Sequence, residues 1–187
     1  MFASVTSLPS WVPAHVDFAR DYASDEDRMR LAIALACGNV EHRTGGPFGA
    51  AIFERESGRL VSVGVNSVVR LNNSTLHAEV VAFQLAQKRI VSHTLAGDGG
   101  LRPAHEIFTS CAPCAMCLGA TLWSGVTRLV FAADREDAEG LAFDEGPVFP
   151  ESYAYLEARG ITIERNILAH EARDVMSRYR ALGGDIY

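Results

Sequence analysis

Two short motifs constrain this chain more than any other part of its sequence: His77-Ala78-Glu79 and, after a long gap, Pro113-Cys114-Ala115-Met116-Cys117. The first supplies an imidazole with a carboxylate beside it, and the second supplies two thiolates. Three such donors leave the fourth position of a tetrahedral zinc ion open for water, as in catalytic zinc sites. The motifs therefore indicate a hydrolytic enzyme with one zinc ion per chain. The predicted zinc ligands are His77, Cys114 and Cys117.

The competing interpretations of the metal site depend on Cys111. A structural zinc site needs four protein ligands, and Cys111 would complete that set. An iron–sulfur cluster would use the three-residue spacing that starts at Cys111, but Leu118-Gly119-Ala120-Thr121 follows where a fourth cysteine is required. We interpret Cys111 and Cys37 as packed thiols, because small apolar thiols are common in protein cores.

The length and composition fit one globular domain, with 187 residues of which 48% are hydrophobic and 21% charged. We expect an N-terminal arm over residues 1–20 and a single domain over 21–187. The longest apolar run, 31–37, is far shorter than the roughly 20 residues that span a bilayer. The first residues lack the basic and apolar regions of a signal peptide, so we expect a cytoplasmic protein without a membrane partner.

The charge balance bears on the class of partner. The formal net charge is −6 and the arginines are scattered along the chain. A surface that binds a nucleic-acid backbone needs clustered positive charge, so we expect no nucleic-acid partner.

The hydrophobic pattern predicts an α/β fold. Ser24 is expected to cap a first helix, which ends at Gly45-Gly46-Pro47, and the apolar runs 48–53 and 60–65 predict an antiparallel hairpin. A strand-helix-strand step near the C-terminus implies a parallel crossover, so the sheet should be mixed. We predict a three-layer α-β-α domain with a five-stranded sheet. The later elements are expected at helix 78–88, strand 106–109, a helix from Pro113, strand 128–132, helix 153–159, strand 161–167 and helix 171–182.

Both predicted halves of the metal site lie where a helix begins. His77 and Glu79 stand at the start of helix 78–88, and Pro113 is expected to open the next helix, since proline is well tolerated in that position. The positive dipole ends of both helices would then point at the metal site, where they stabilise anionic thiolates and hydroxide.

The two motifs on this order of elements resemble the cytidine deaminase superfamily, whose zinc deaminases carry the pattern H-x-E followed by P-C-x-x-C. The resemblance implies a cytidine deaminase-like fold, a homodimer and hydrolytic deamination. Glu79 would take a proton from the activated water and then pass protons to the ring nitrogen and the departing amine.

Within the superfamily, several stretches are most similar to bacterial guanine deaminases, which implies conversion of guanine to xanthine and ammonia. Purine-type members, including tRNA adenosine deaminases, share much of the early part. The stretches are 46–51, 75–79, 109–120 and Phe143-Asp144-Glu145.

Four residues are implied as contacts to a small-molecule purine substrate. Phe48 would stack on the ring, and Asn66 would hydrogen-bond one of its edges. An acid at Asp144 or Glu145 would accept the adjacent N–H donors of guanine, whereas adenine and cytosine present a ring acceptor at the matching edge. The sequence leaves open which acid has this role, although Asp144 follows the motif position more closely.

Other functions stay open on sequence alone. The substrate of a deaminase with these motifs can also be a guanosine-type nucleoside, cytosine, an amino-triazine or adenosine in tRNA. A non-catalytic, zinc-stabilised binding module would use the same metal ligands, but it would not need Glu79. The C-terminal residues 183–187 are expected to be either a lid over the site or a frayed end.

Overall fold

The computed structural model describes residues 6–187, so residues 1–5 of the predicted N-terminal arm lie outside the described residues. The five strands are β1 (Gly49–Glu54), β2 (Leu60–Val65), β3 (His105–Cys111), β4 (Arg128–Ala133) and β5 (Thr162–Glu164). They form one sheet in the order β2-β1-β3-β4-β5. β1 is antiparallel to β2 and to β3, whereas β3-β4 and β4-β5 are parallel. The predicted mixed five-stranded sheet is confirmed.

Helices cover both faces of the sheet, because alternate residues of the central strands point to opposite sides. In β1, Ala51 and Phe53 pack into a core with α2 (Asp25–Glu41) and α8 (Ala169–Ala181), while Ala50 and Ile52 pack into a second core with α4 (Ala78–Arg89) and α7 (Pro150–Ala158). The predicted three-layer arrangement is therefore confirmed. The helices are α1 (Val12–His15), α2 (Asp25–Glu41), α3 (Val68–Leu71), α4 (Ala78–Arg89), α5 (Ala115–Ser124), α6 (Arg135–Glu139), α7 (Pro150–Ala158) and α8 (Ala169–Ala181).

The start of α2 follows from its local sequence. The Ser24 hydroxyl accepts a hydrogen bond from the Asp27 backbone N–H at 3.1 Å, and acidic residues occupy the first turn, where the helix dipole favours negative charge. Ser24 is thus the predicted cap. The helix ends at Glu41, before the turn at Gly45-Gly46-Pro47.

Some predicted boundaries were wrong for identifiable reasons. Pro113 does not open α5, because the backbone stays extended through Cys114 and the helix begins at Ala115. β5 covers Thr162–Glu164 instead of 161–167, because Asn166 and Leu168 take left-handed backbone conformations that end an extended strand. The short helices α1, α3 and α6 were not predicted, since four or five residues do not establish a helical period.

Gly64 brings the start of α4 close to the sheet. A Cβ atom on Gly64 would lie 2.0 Å from the carbonyl oxygen of Ala78, in the first turn of that helix. Only glycine permits this approach, and it places His77 and Glu79 beside the end of β2. None of the helices in the described part of the chain has the length and apolar character needed to cross a bilayer.

Candidate active site

The N-termini of α4 and α5 meet at one end of the sheet. His77 is the residue before the first turn of α4, and Cys114 holds the same place in α5. Both have extended backbone angles, so their side chains point away from the helix axes and towards each other. The Nδ1 atom of His77 lies 3.5 Å from the Sγ atom of Cys114. Both halves of the motif stand at helix starts, as predicted.

The donor atoms of His77, Cys114 and Cys117 have the spacing of a metal site. All three lie within 4.8 Å of one another. In a tetrahedral site with bonds of about 2.0 Å to nitrogen and about 2.3 Å to sulfur, the nitrogen-sulfur separation is roughly 3.5 Å. The observed separation between His77 and Cys114 is the same, so this donor set fits a zinc ion.

Cys111 lies outside this group. It is buried at the end of β3, and its Sγ atom lies 3.5 Å from the carbonyl oxygen of Asp134, to which the thiol donates. Burial raises the pKa of the Cys111 thiol well above its ordinary value, which keeps the sulfur protonated and neutral.

The pKa values of the two remaining thiols of the motif are shifted in opposite directions. A hydrogen bond from Cys117 lowers the pKa of Cys114, and a hydrogen bond with His77 lowers it further. The pKa of Cys117 is raised by the same interaction with Cys114 and by burial. One sulfur is thus an anion at neutral pH even without a metal, which suits a cation-binding site at two helix N-termini.

Glu79 is buried in the first turn of α4, with only 8% of its surface exposed. Burial raises the pKa of its carboxyl to about 7, and the negative charge of Cys114 contributes in the same direction. A carboxyl with a pKa near neutrality can both accept and release a proton at physiological pH.

One cavity is lined by two of the three metal donors and by all the other predicted site residues. Cys117 does not line the cavity, but its sulfur lies within 4.8 Å of the donor atoms of His77 and Cys114, which do. Five further lining residues were not predicted as site residues, although all of them fall within the stretches 46–51, 109–120 and 143–145 that carry the resemblance: Gly49, Thr109, Ser110, Ala112 and Phe143. The lining also includes Phe48, Asn66, His77, Glu79, Cys111, Cys114, Asp144, Glu145 and Tyr187.

The structure distinguishes the two acids between which the sequence could not choose. Asp144 is exposed, and its Oδ1 atom accepts a hydrogen bond from the Gly146 backbone N–H at 2.9 Å. Glu145 is only 9% exposed. Burial raises the pKa of the Glu145 carboxyl to about 8, with further contributions from the charges of Cys114 and Glu79. Glu145 is therefore the acid that faces the interior of the cavity.

Three aromatic residues also line the cavity: Phe48, Phe143 and Tyr187. Phe143 contacts Phe48 edge to face, with ring centroids 5.0 Å apart, and Tyr187 in the same way at 5.4 Å. Such rings offer a flat apolar ligand both a face and an edge. Tyr187 belongs to the C-terminal segment of the same chain, and it is the residue of 183–187 that lines the cavity.

Comparisons with known proteins agree with this geometry. Residues 22–133 match the family model described as the cytidine and deoxycytidylate deaminase zinc-binding region. A guanine deaminase of Bacillus subtilis is 36% identical over 136 residues, which cover 73% of this chain and 81% of the relative.

Solved structures show the same fold over nearly the whole chain. A guanine deaminase from Nitrosomonas europaea superposes with a TM-score of 0.90 and 41% identity, covering 96% of this chain and 97% of that one. A solved complex with 2,6-diaminopurine gives a TM-score of 0.90 and 42% identity, covering 98% of this chain and 95% of that one. The cytidine deaminase-like fold is confirmed, and this chain belongs to the cytidine and deoxycytidylate deaminase family, within which it resembles the guanine deaminases.

Proposed function

We propose that this chain is a zinc-dependent guanine deaminase, which converts guanine and water to xanthine and ammonia. The observation that carries the proposal is the placement of Glu145. Its carboxyl is buried in the same cavity as Glu79 and the three metal donors. A purine can therefore present its reacting carbon to the metal side while its N1–H donates to Glu145, and this donor favours the ionised carboxylate over the neutral acid that burial favours in the empty site.

His77, Cys114 and Cys117 would hold the zinc ion. When bound, zinc supplies a Lewis acid that makes water acidic enough to lose a proton near neutral pH. Glu79 accepts that proton at a carboxylate oxygen. As oxygen bonds to C2, Glu79 passes that proton to the ring nitrogen. It then takes the second proton of the former water from the oxygen on C2 and gives it to the exocyclic nitrogen, which leaves as ammonia when its bond to C2 breaks.

Phe48 and Asn66 supply the contacts that orient the purine. Phe48 is half-buried and braced by Phe143, so its ring is held where a purine can stack on it. The Oδ1 atom of Asn66 accepts a hydrogen bond from the Val68 backbone N–H at 3.3 Å. Its NH₂ group makes no hydrogen bond to the described residues and is free to donate to an acceptor on the purine edge.

An assay of ammonia release tests this function. Guanine should be deaminated fastest among guanine, guanosine, cytosine, adenine and an amino-triazine. A chelator should abolish the release, and added zinc should restore it. Activity on cytosine alone would contradict the role of Glu145. A zinc-loaded protein that releases no ammonia, and that unfolds when zinc is removed, would instead support the binding-module alternative.

The C-terminal residues 183–187 act as a lid over the substrate in this proposal. The Tyr187 hydroxyl lies over the backbone of Gly46, at the edge of the cavity. The hydroxyl of Tyr179 donates to the carbonyl oxygen of Asp185 at 2.6 Å, which holds the segment in place. A closed segment of this kind excludes water from the reacting atoms.

Deletion of residues 183–187 should therefore raise the KM for guanine at least about tenfold, because the ring of Tyr187 no longer closes the cavity. Steady-state kinetics measure this effect. Ile186→Ala is the matched control, since Ile186 lies in the same segment but does not line the cavity. Wild-type turnover of guanine after the deletion would contradict the lid.

The homodimer and the cytoplasmic location stay predictions from the resemblance and the sequence. Size-exclusion chromatography with light scattering measures the former directly.

A further inference from the structure

We infer that Asn39, which does not line the cavity, positions the two segments that carry Phe48 and Asn66, and that Trp11 near the N-terminus holds Asn39 in its working orientation. The inference rests on the proposed function, in which Phe48 and Asn66 contact the substrate. Asn39 is a positioning residue, because it acts on the substrate only through these segments.

The side-chain amide of Asn39 joins two segments of backbone that are distant in sequence. Asn39 lies in α2 and is fully buried. Its Nδ2 atom donates to the carbonyl oxygens of Gly46 and Asn66, both at 2.9 Å. Gly46 stands two residues before Phe48, whose own N–H donates to the same Gly46 carbonyl at 2.8 Å. The Asn66 backbone N–H also donates to the Phe48 carbonyl at 3.1 Å, so the Asn39 amide adds a second connection between the Gly46–Phe48 turn and Asn66.

The orientation of this amide is set from outside the cavity. The Thr44 hydroxyl donates to Oδ1 of Asn39 at 2.6 Å, and it accepts from Nε1 of Trp11 at 3.0 Å. An indole N–H can only donate, so the Thr44 hydroxyl must direct its proton to Asn39. Asn39 Oδ1 therefore faces Thr44, and the NH₂ group has to face the two carbonyls.

The residues around these hydrogen bonds are tightly packed. A Cβ atom on Gly45 would lie 2.1 Å from the Asn66 carbonyl oxygen and 2.7 Å from Asn39 Nδ2. The Trp11 ring lies over Gly38 and stacks on His42, with centroids 5.1 Å apart. Trp11 is thus held by packing as well as by its hydrogen bond, so the position of its N–H relative to Thr44 is fixed.

The hydrogen bonds from Trp11 through Thr44 to Asn39 link the N-terminal segment to the substrate-binding residues, although none of these three residues lines the cavity. If the Thr44 hydroxyl is lost, the buried Oδ1 atom of Asn39 loses its donor, and the amide holds the carbonyls of Gly46 and Asn66 less firmly. The turn at Gly46 that carries Phe48 then becomes less fixed relative to Asn66, although the backbone hydrogen bond between Asn66 and Phe48 remains. Glu79 and the metal donors are held by α4 and α5 and stay in place. The expected effect is on substrate affinity, with little effect on the chemical step.

Thr44→Val and Thr44→Ser test this coupling in the full-length, zinc-loaded protein. Valine has nearly the shape of threonine but lacks the hydroxyl, whereas serine keeps it. Thr44→Val should raise the KM for guanine about fivefold, as expected for one lost hydrogen bond, with kcat within about twofold of wild type. Thr44→Ser should behave like wild type. Trp11→Phe keeps a packed ring but lacks the N–H, and it should raise KM in the same direction.

A different pattern would overturn the inference. If Thr44→Val lowers the melting temperature but leaves KM and kcat unchanged, the hydrogen bonds are structural only. An equal loss of kcat in Thr44→Val and Thr44→Ser would show that any change at this position disturbs the fold.

A second readout separates this inference from the proposed function. If the wild-type protein releases no ammonia from guanine, the proposed function fails, but the positioning role can still be measured. The backbone amide resonances of Gly46 and Asn66 should shift in Thr44→Val and stay near their wild-type positions in Thr44→Ser. Unshifted resonances in Thr44→Val would overturn the inference whatever the substrate is.

Discussion

Glu79→Gln is expected to lower kcat for guanine about 1,000-fold while zinc stays bound. Glutamine keeps the shape of the side chain but cannot take a proton from water at neutral pH, and general acid–base catalysis typically contributes factors of this size. The three predicted metal donors do not include Glu79. The measurements are ammonia release and the zinc content of the purified protein.

The matched control for this variant is Glu171→Gln, because Glu171 is an exposed carboxylate in the first turn of another helix, α8. Its turnover should be that of wild type. If Glu79→Gln keeps wild-type turnover, another group transfers the proton. If it loses zinc together with activity, Glu79 holds the metal site together instead of acting on water.

Glu145→Gln should lower kcat/KM for guanine about 100-fold, and this is the second of the two large effects. A carboxylate accepts hydrogen bonds from adjacent donors on the purine, whereas an amide accepts one and turns its own N–H towards the other. The loss combines a charge-assisted hydrogen bond with an unfavourable contact in a buried site. The variant should also lose its preference for guanine over purines that present an acceptor at this edge.

Asp144→Asn is the comparison that makes this result specific. Asp144 is exposed, and its side chain is occupied by the Gly146 backbone N–H, so we expect a change in kcat/KM below about threefold. A large loss in Asp144→Asn with a small loss in Glu145→Gln would reverse the assignment. Steady-state kinetics on guanine, guanosine and adenine measure both variants under the same conditions.

Elements with a strong local signal could be predicted from the sequence. Ser24 caps α2 as expected, since the cap depends on one side chain and a backbone group three residues away. The hairpin of β1 and β2 follows from two apolar runs with a short polar connection. Prediction failed where one backbone conformation ends an element, as the left-handed Asn166 does after β5, and where an element is too short to show a period, as α3 is.

The donors of the metal site could be predicted from the sequence alone. Zinc binds only a few residue types, and both motifs stand where the sequence predicts the start of a helix. The choice between Asp144 and Glu145 could not be predicted from the sequence. Both residues lie in an irregular loop, where no regular repeat indicates which side chain points into the cavity. Asn39 carried no local signal either, since its partners Gly46 and Asn66 are joined to it only by the folded backbone. The sequence by itself determined which residues can bind zinc and transfer protons, because these abilities belong to the side chains. Only the tertiary structure decided which loop side chain points into the cavity, because that depends on contacts formed when the helices and strands pack together.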